Sequence, residues 1–103
     1  MSEDKLAAAV TRGARAKALL EDELLQEAFA ALESDYVAAW KRSPARDTDA
    51  RERLWQAVNV LGKVRDHVAR IAADGKLAQR ELDDLTQMTN ESSVVGSGLA
   101  RER

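Results

Sequence analysis

The residues in this chain that could do chemistry are few, and their spacing works against it. His67 is the only histidine and there is no cysteine. A zinc site would therefore have to be assembled from carboxylates, which is not how zinc is normally held. Asp66 precedes His67, but neighbouring residues on a helix do not face each other. Glu21, Asp22 and Glu23 are consecutive, as are Asp83 and Asp84. Consecutive carboxylates on a helix point in different directions and do not form an acid/base pair of defined separation. The serines at 2, 34, 43, 92, 93 and 97 stand in no nucleophile elbow and have no base at a recognisable spacing. The glycines are scattered, so no phosphate-cradling loop is present. The sequence predicts a protein that is not an enzyme, with no catalytic residue, metal or cofactor.

What remains is binding chemistry. Arg46, Arg51, Arg53, Lys63 and Arg65 fall in the middle of the chain, and could contact the phosphates of a nucleic acid. The formal net charge is −2, from 16 Lys+Arg against 18 Asp+Glu. Its distribution is uneven: residues 1–40 are net acidic, residues 41–70 net basic and residues 71–103 net acidic again. Asp47, Asp49, Glu52 and Asp66 interleave with the basic residues, so pairing between helices or subunits is the preferred explanation of the basic middle. No compact helix-turn-helix is legible.

The elements that would position these residues are helices. Ala, Leu, Arg and Glu dominate, and no strand-like alternation persists. Leu20, Leu24, Leu25, Ala28, Phe29, Leu32, Tyr36, Ala39 and Trp40 recur at steps of three and four. They predict one amphipathic helix from Ala14 to Arg42, with Gly13 as the point of fraying or break from a weakly helical or flexible segment 1–13. Pro44 stops the helix, because proline disfavours helical geometry in the residue before it. Leu54, Val58, Leu61, Val64, Val68 and Ile71 predict a second helix. Gly62 inside it either admits another backbone or is simply tolerated, and Asp74-Gly75 reads as its stop. Ala78, Leu82, Leu85 and Met88 predict a short third helix. Residues 89–103 read as a flexible tail.

The stretch SPARDTDARERLW, residues 43–55, reads as the joint between the long helices. Its charges cancel, Asp47 to Asp49 offer N-cap side chains, and Asp49 with Glu52 resembles a capping box. So short a link predicts an all-α antiparallel hairpin over 14–88, closed at one end by the short third helix. Each helix keeps part of its apolar stripe wet. Phe29, Tyr36, Trp40, Trp55, Val58 and Leu61 are therefore the candidate protein interface, and a homo-oligomer is expected. No apolar run approaches the roughly 18 residues of a membrane span. The acidic start MSEDKLAAAV is unlike a secretory signal, so an intracellular protein is expected and the Asn90-Glu91-Ser92 sequon reads as accidental.

The run RDTDARERLWQAVNVLGKVRDHVARIAADGKLAQREL adds a resemblance. Trp40 ends the first helix. Arg46 to Thr48, Arg51-Glu52 and Leu54-Trp55 open the second, and Gly75 to Ala78 form a Gly-Lys-Leu-Ala turn. The pattern, over residues 15 to 85, resembles small helical proteins encoded by tailed bacteriophages and prophages. That resemblance implies a phage origin and a non-enzymatic role in virion assembly or DNA packaging, as a small-terminase-like protein or a structural adaptor. It implies other phage assembly proteins as partners, DNA as a candidate partner, and a place in the bacterial host cytoplasm or the virion. The alternative reading is a small helical regulator that binds and inhibits a host protein.

Overall fold

The computed structural model describes the backbone of residues 2–101 and the side chains of residues 2–90. Three helices account for it: α1 (Glu3–Glu21), α2 (Glu23–Arg42) and α3 (Thr48–Arg101). No strand occurs among the described residues. The molecule is a rod of 86 × 25 × 16 Å. At about 1.5 Å per residue, α3 alone runs most of that length. Both α1 and α2 pack along α3.

Each helix start is capped by the residue type its orphan N–H groups require. The Ser2 hydroxyl accepts from the Lys5 N–H at 3.3 Å. Asp22 accepts from the Leu25 N–H at 2.8 Å. Asp47 accepts from the Ala50 N–H at 3.3 Å. Asp47, not Asp49, thus opens α3, and Asp49 lies in its first turn. At the α1–α2 break the Asp22 N–H donates to the Leu19 carbonyl, and Gln26 Nε2 reaches back 2.7 Å to the Leu20 carbonyl.

Three expected helix boundaries are corrected. Gly13 does not end a weak prefix: α1 runs through it from Glu3, and the break falls at Asp22, whose ψ of 120° is extended. Gly75 does not stop the second helix, and no glycine among the described residues takes a positive φ. The expected short third helix is the continuation of α3. The tail expected from residue 89 falls mostly outside the described side chains, and the backbone there carries α3 on to Arg101.

One packing fact explains the first two corrections. Gly13 and Gly75 face each other, both buried, where α1 crosses α3. A Cβ added to Gly13 would lie 2.6 Å from the Gly75 Cα and 3.2 Å from the Ile71 carbonyl oxygen. One added to Gly75 would lie 2.6 Å from the Gly13 Cα and 3.1 Å from the Ala9 carbonyl oxygen. The glycines are therefore helical residues used for close approach. The rest of the well-buried set is also mostly small: Ala16 and Ala78, with Leu6 the one large member. Against α2 the contact residues are larger, among them Phe29, Val37 and Trp40. The break at Asp22 separates the close glycine crossing of α1 from the larger residues of α2.

The pairing has a definite order. Arg51 of α3 meets Trp40, Arg65 meets Phe29 and Glu33, and Gly75 meets Gly13. Partner numbers fall as α3 numbers rise. Gly62, by contrast, would bring an added Cβ within 4 Å of nothing, so within this chain it is only tolerated.

Alanine at the three glycines should therefore act in opposite directions. Gly62→Ala should stabilise by up to about 1 kcal/mol through helix propensity. Gly13→Ala and Gly75→Ala should each destabilise by about 1–3 kcal/mol, because overpacking outweighs the same propensity gain. Thermal unfolding followed by circular dichroism checks the signs.

Candidate functional site

The joint between α2 and α3 brings together several of the residues singled out from sequence. Pro44 and Asp47 form a turn, with the Asp47 N–H donating to the Pro44 carbonyl at 3.0 Å. The C-terminus of α2 leaves carbonyls without helical partners. Ser43 covers part of the deficit: its N–H donates to the Ala39 and Trp40 carbonyls, and its hydroxyl donates to the Trp40 carbonyl at 2.6 Å. Arg51 covers more. Its Nη1 donates to the Trp40 carbonyl at 3.1 Å, the Ser43 carbonyl at 3.1 Å and the Ser43 Oγ at 3.0 Å. The guanidinium also lies 4.3 Å from the centroid of the Trp40 ring, a cation–π distance. A fixed positive charge there suits the negative end of the α2 dipole.

Beside this clasp is an open apolar pocket of ≈ 220 Å³ lined by Val37, Trp40, Leu54, Trp55 and Val58. Trp55 is 62% exposed. A larger open cleft of ≈ 360 Å³ sits at the α1–α2 break, where Leu19, Leu25, Phe29 and Val68 form its apolar walls and Arg65 its rim. The Arg65 guanidinium lies 5.2 Å from the Phe29 ring centroid and 3.8 Å from the Glu33 carboxylate. Both ends of that ion pair are about half exposed, so it contributes at most about 1 kcal/mol.

The candidate interface residues thus divide. Trp40, Trp55 and Val58 line the joint pocket, Phe29 lines the cleft, and Tyr36 and Leu61 lie half-buried along the helix pair. The candidate nucleic-acid residues divide too. Arg51 and Arg65 are laid over aromatic rings, and Arg65 is exposed, as are Arg46, Arg53 and Lys63. His67 is exposed, and no group of three or more His, Cys, Asp or Glu that could hold a metal occurs among the described residues. No helix there is long and apolar enough to cross a membrane.

Apart from Trp55, sequence reasoning does not name the most exposed apolar side chains as interface residues. Leu24 is 74% exposed, and Leu32, Val60, Val64, Leu77 and Met88 are also well exposed. Several belong to the stripes that periodicity assigns to the core. The signal that finds them is stripe width: the stripe on α2 is broader than one neighbouring helix can cover. The role of Arg51 carries no periodic signal. Comparison with protein-family models, curated proteins and solved structures returns no match.

Arg51→Ala should destabilise the fold by about 1–2 kcal/mol, since charged hydrogen bonds and a cation–π contact are lost together. It should also change the tryptophan emission, because the cation leaves the Trp40 ring. Arg53→Ala should stay within about 0.5 kcal/mol of the parent. Urea unfolding followed by fluorescence reads both quantities.

Proposed function

We propose that this chain is a non-enzymatic assembly protein: an antiparallel helical hairpin that works by self-association and by docking on other proteins. Support for the hairpin is the descending order of partners along α3, from Trp40 to Phe29 to Gly13. Support for self-association is the observation that carries the whole reading. The buried hydrophobic residues are Leu6, Ala16 and Ala78, whereas Leu24, Leu32, Trp55, Val60, Val64 and other large apolar side chains stand in water. Exposed apolar faces on this scale mark interaction surfaces. The chain exposes 8303 Å², against roughly 5,700 Å² for a compact monomer of its length.

The narrowest form of the reading is an oligomeric phage protein acting in virion assembly or DNA packaging, in the bacterial host cytoplasm or the virion. It rests on the sequence pattern around Arg46 to Trp55 and Gly75 to Ala78. Within it, protein contact is better supported than DNA contact, because Arg51 and Arg65 are engaged with Trp40 and Phe29. DNA contact would fall to Arg46, Arg53 and Lys63. A second reading, a regulator that binds a host protein, draws on the apolar pocket beside Trp40 and Trp55.

Light scattering on the full chain across the micromolar range is the test. The expected result is one multimer of fixed size; a monomer at the highest concentration would remove self-association and favour the regulator. Duplex DNA titrated at two salt concentrations tests the packaging form. Retention at low salt should weaken as salt rises and disappear in Arg53→Glu with Lys63→Glu. Retention unchanged by that pair removes these residues as the DNA contact.

A further inference from the structure

Helices α1 and α2 are separated by one residue, yet they turn different faces to α3. Gly13 of α1 meets Gly75. On α2, Phe29 and Glu33 meet Arg65, and Trp40 meets Arg51. An α-helix turns about 100° per residue. If α1 and α2 were one continuous helix, Phe29, Glu33 and Trp40 would stand about 160–180° around it from Gly13. The two contact faces would then be nearly opposite. A single chain buries both against its own α3 because the helix breaks at Asp22, whose ψ of 120° is extended.

The break runs against the local sequence. Residues 18–27, ALLEDELLQE, are strong helix formers apart from Asp22. The break leaves helix-end N–H and C=O groups that a continuous helix would pair along its own ladder. The Asp22 carboxylate accepts from the Leu25 N–H at 2.8 Å and the Gln26 amide donates to the Leu20 carbonyl at 2.7 Å, and both bonds lie exposed. Tertiary packing holds the break: α1 lies chiefly against α3 and little against α2. A local preference for helix is thus opposed by the burial of the glycine face within the same chain. A second copy removes that opposition, because its α3 presents the same Gly75. Exchange of an identical element keeps every contact of the closed chain and is a low-cost route to a dimer.

We propose that α1 is an exchangeable arm: in a dimer Asp22 becomes helical, α1 and α2 run on as one helix, and Gly13 of each chain packs on Gly75 of the other. The inference rests on the self-association reading. It gives that association its partner, a second copy, and its contact, the crossing already formed within the chain. Two arms and two acceptor faces close the pair with twofold symmetry. Substitutions at Gly13 or Gly75 strain the closed chain and the exchanged pair alike, so the hinge is the place that discriminates.

Light scattering on the parent chain first reports whether it self-associates; a monomer overturns the underlying reading, and this one with it. Exchange is then read by cross-linking. The chain has no native cysteine, so Val10→Cys on α1 and Gln79→Cys on α3, which line one pocket at the crossing, can be carried by separate copies. The two are mixed in equal amounts and refolded together from urea. A short bismaleimide should then join one kind of copy to the other. Multimers without that mixed product overturn exchange while leaving self-association intact. Asp22→Ala removes the cap and places a helix former at the hinge. It should tighten the dimer about 30-fold, the factor for one lost N-cap in each closed chain. An unchanged or weaker dimer overturns the hinge. Glu23→Pro acts the other way. Proline is tolerated at the first helical position, and it pushes the residue before it to the extended geometry Asp22 already has. The variant should stay helical by circular dichroism and give no mixed product. A mixed product that survives in folded Glu23→Pro chains overturns the proposal, since proline there bars a continuous helix.

Discussion

The backbone contact between Gly13 and Gly75 sets the terms for everything else in this fold. With no side chain on either glycine, α1 and α3 come close enough that a single Cβ would not fit. Residues flanking the crossing are then confined to what the narrow gap admits, and Ala16 and Ala78 are among those it buries. A gap that narrow brings many weak backbone and Cβ contacts to van der Waals distance. It also leaves little room for large side chains at the crossing itself; Leu6, nearer the start of α1, is the large one that is buried.

At the α2–α3 joint the binding force is of a different kind. A single guanidinium, that of Arg51, ties the last carbonyls of α2 to the first turn of α3 and covers the Trp40 ring. Steric closeness secures the α1–α3 crossing and directed polar bonds secure the joint. The stretch between is held by half-buried residues such as Phe29, Val58, Leu61 and Val68. That middle stretch is where apolar surface is left over, because two round helices touch along a line and the stripes on them are wider than the line.

Helical content is legible in the sequence because it depends on properties repeated along the chain: strong helix formers, apolar steps of three and four, and a proline at 44. The joint at residues 43–47 is legible for the same reason. The glycines mislead because a glycine is ambiguous when seen alone. At 13 and 75 it serves a contact between residues far apart in sequence, and only the partner reveals that purpose. Asp22 escapes notice because it sits among acidic helix formers, where a cap looks like one more surface carboxylate. Arg51 falls in with the exposed cations, since nothing local distinguishes it from Arg53. Size and position single out Trp40, Trp55 and Val58 as interface residues, and the structure lines one pocket with them. Leu32 and Val64 look like core because periodicity reports which face is apolar and not how much of that face a neighbour can reach.

The ordered pairing along α3 also has a consequence for how the chain reaches this state. The Arg51 clasp spans 8 to 11 residues of chain, whereas the Gly13–Gly75 contact taken alone would close a loop of 62, at greater entropic cost. Forming the clasp first shortens every later closure in turn: Phe29 to Arg65, then Gly13 to Gly75. Loop-closure entropy alone therefore favours a zipper-like order from the joint outward, with each contact made nearly local by the one before it. In that order the tightest fit in the molecule closes last, and the break at Asp22 is what leaves α1 a separate segment from the α2 already seated.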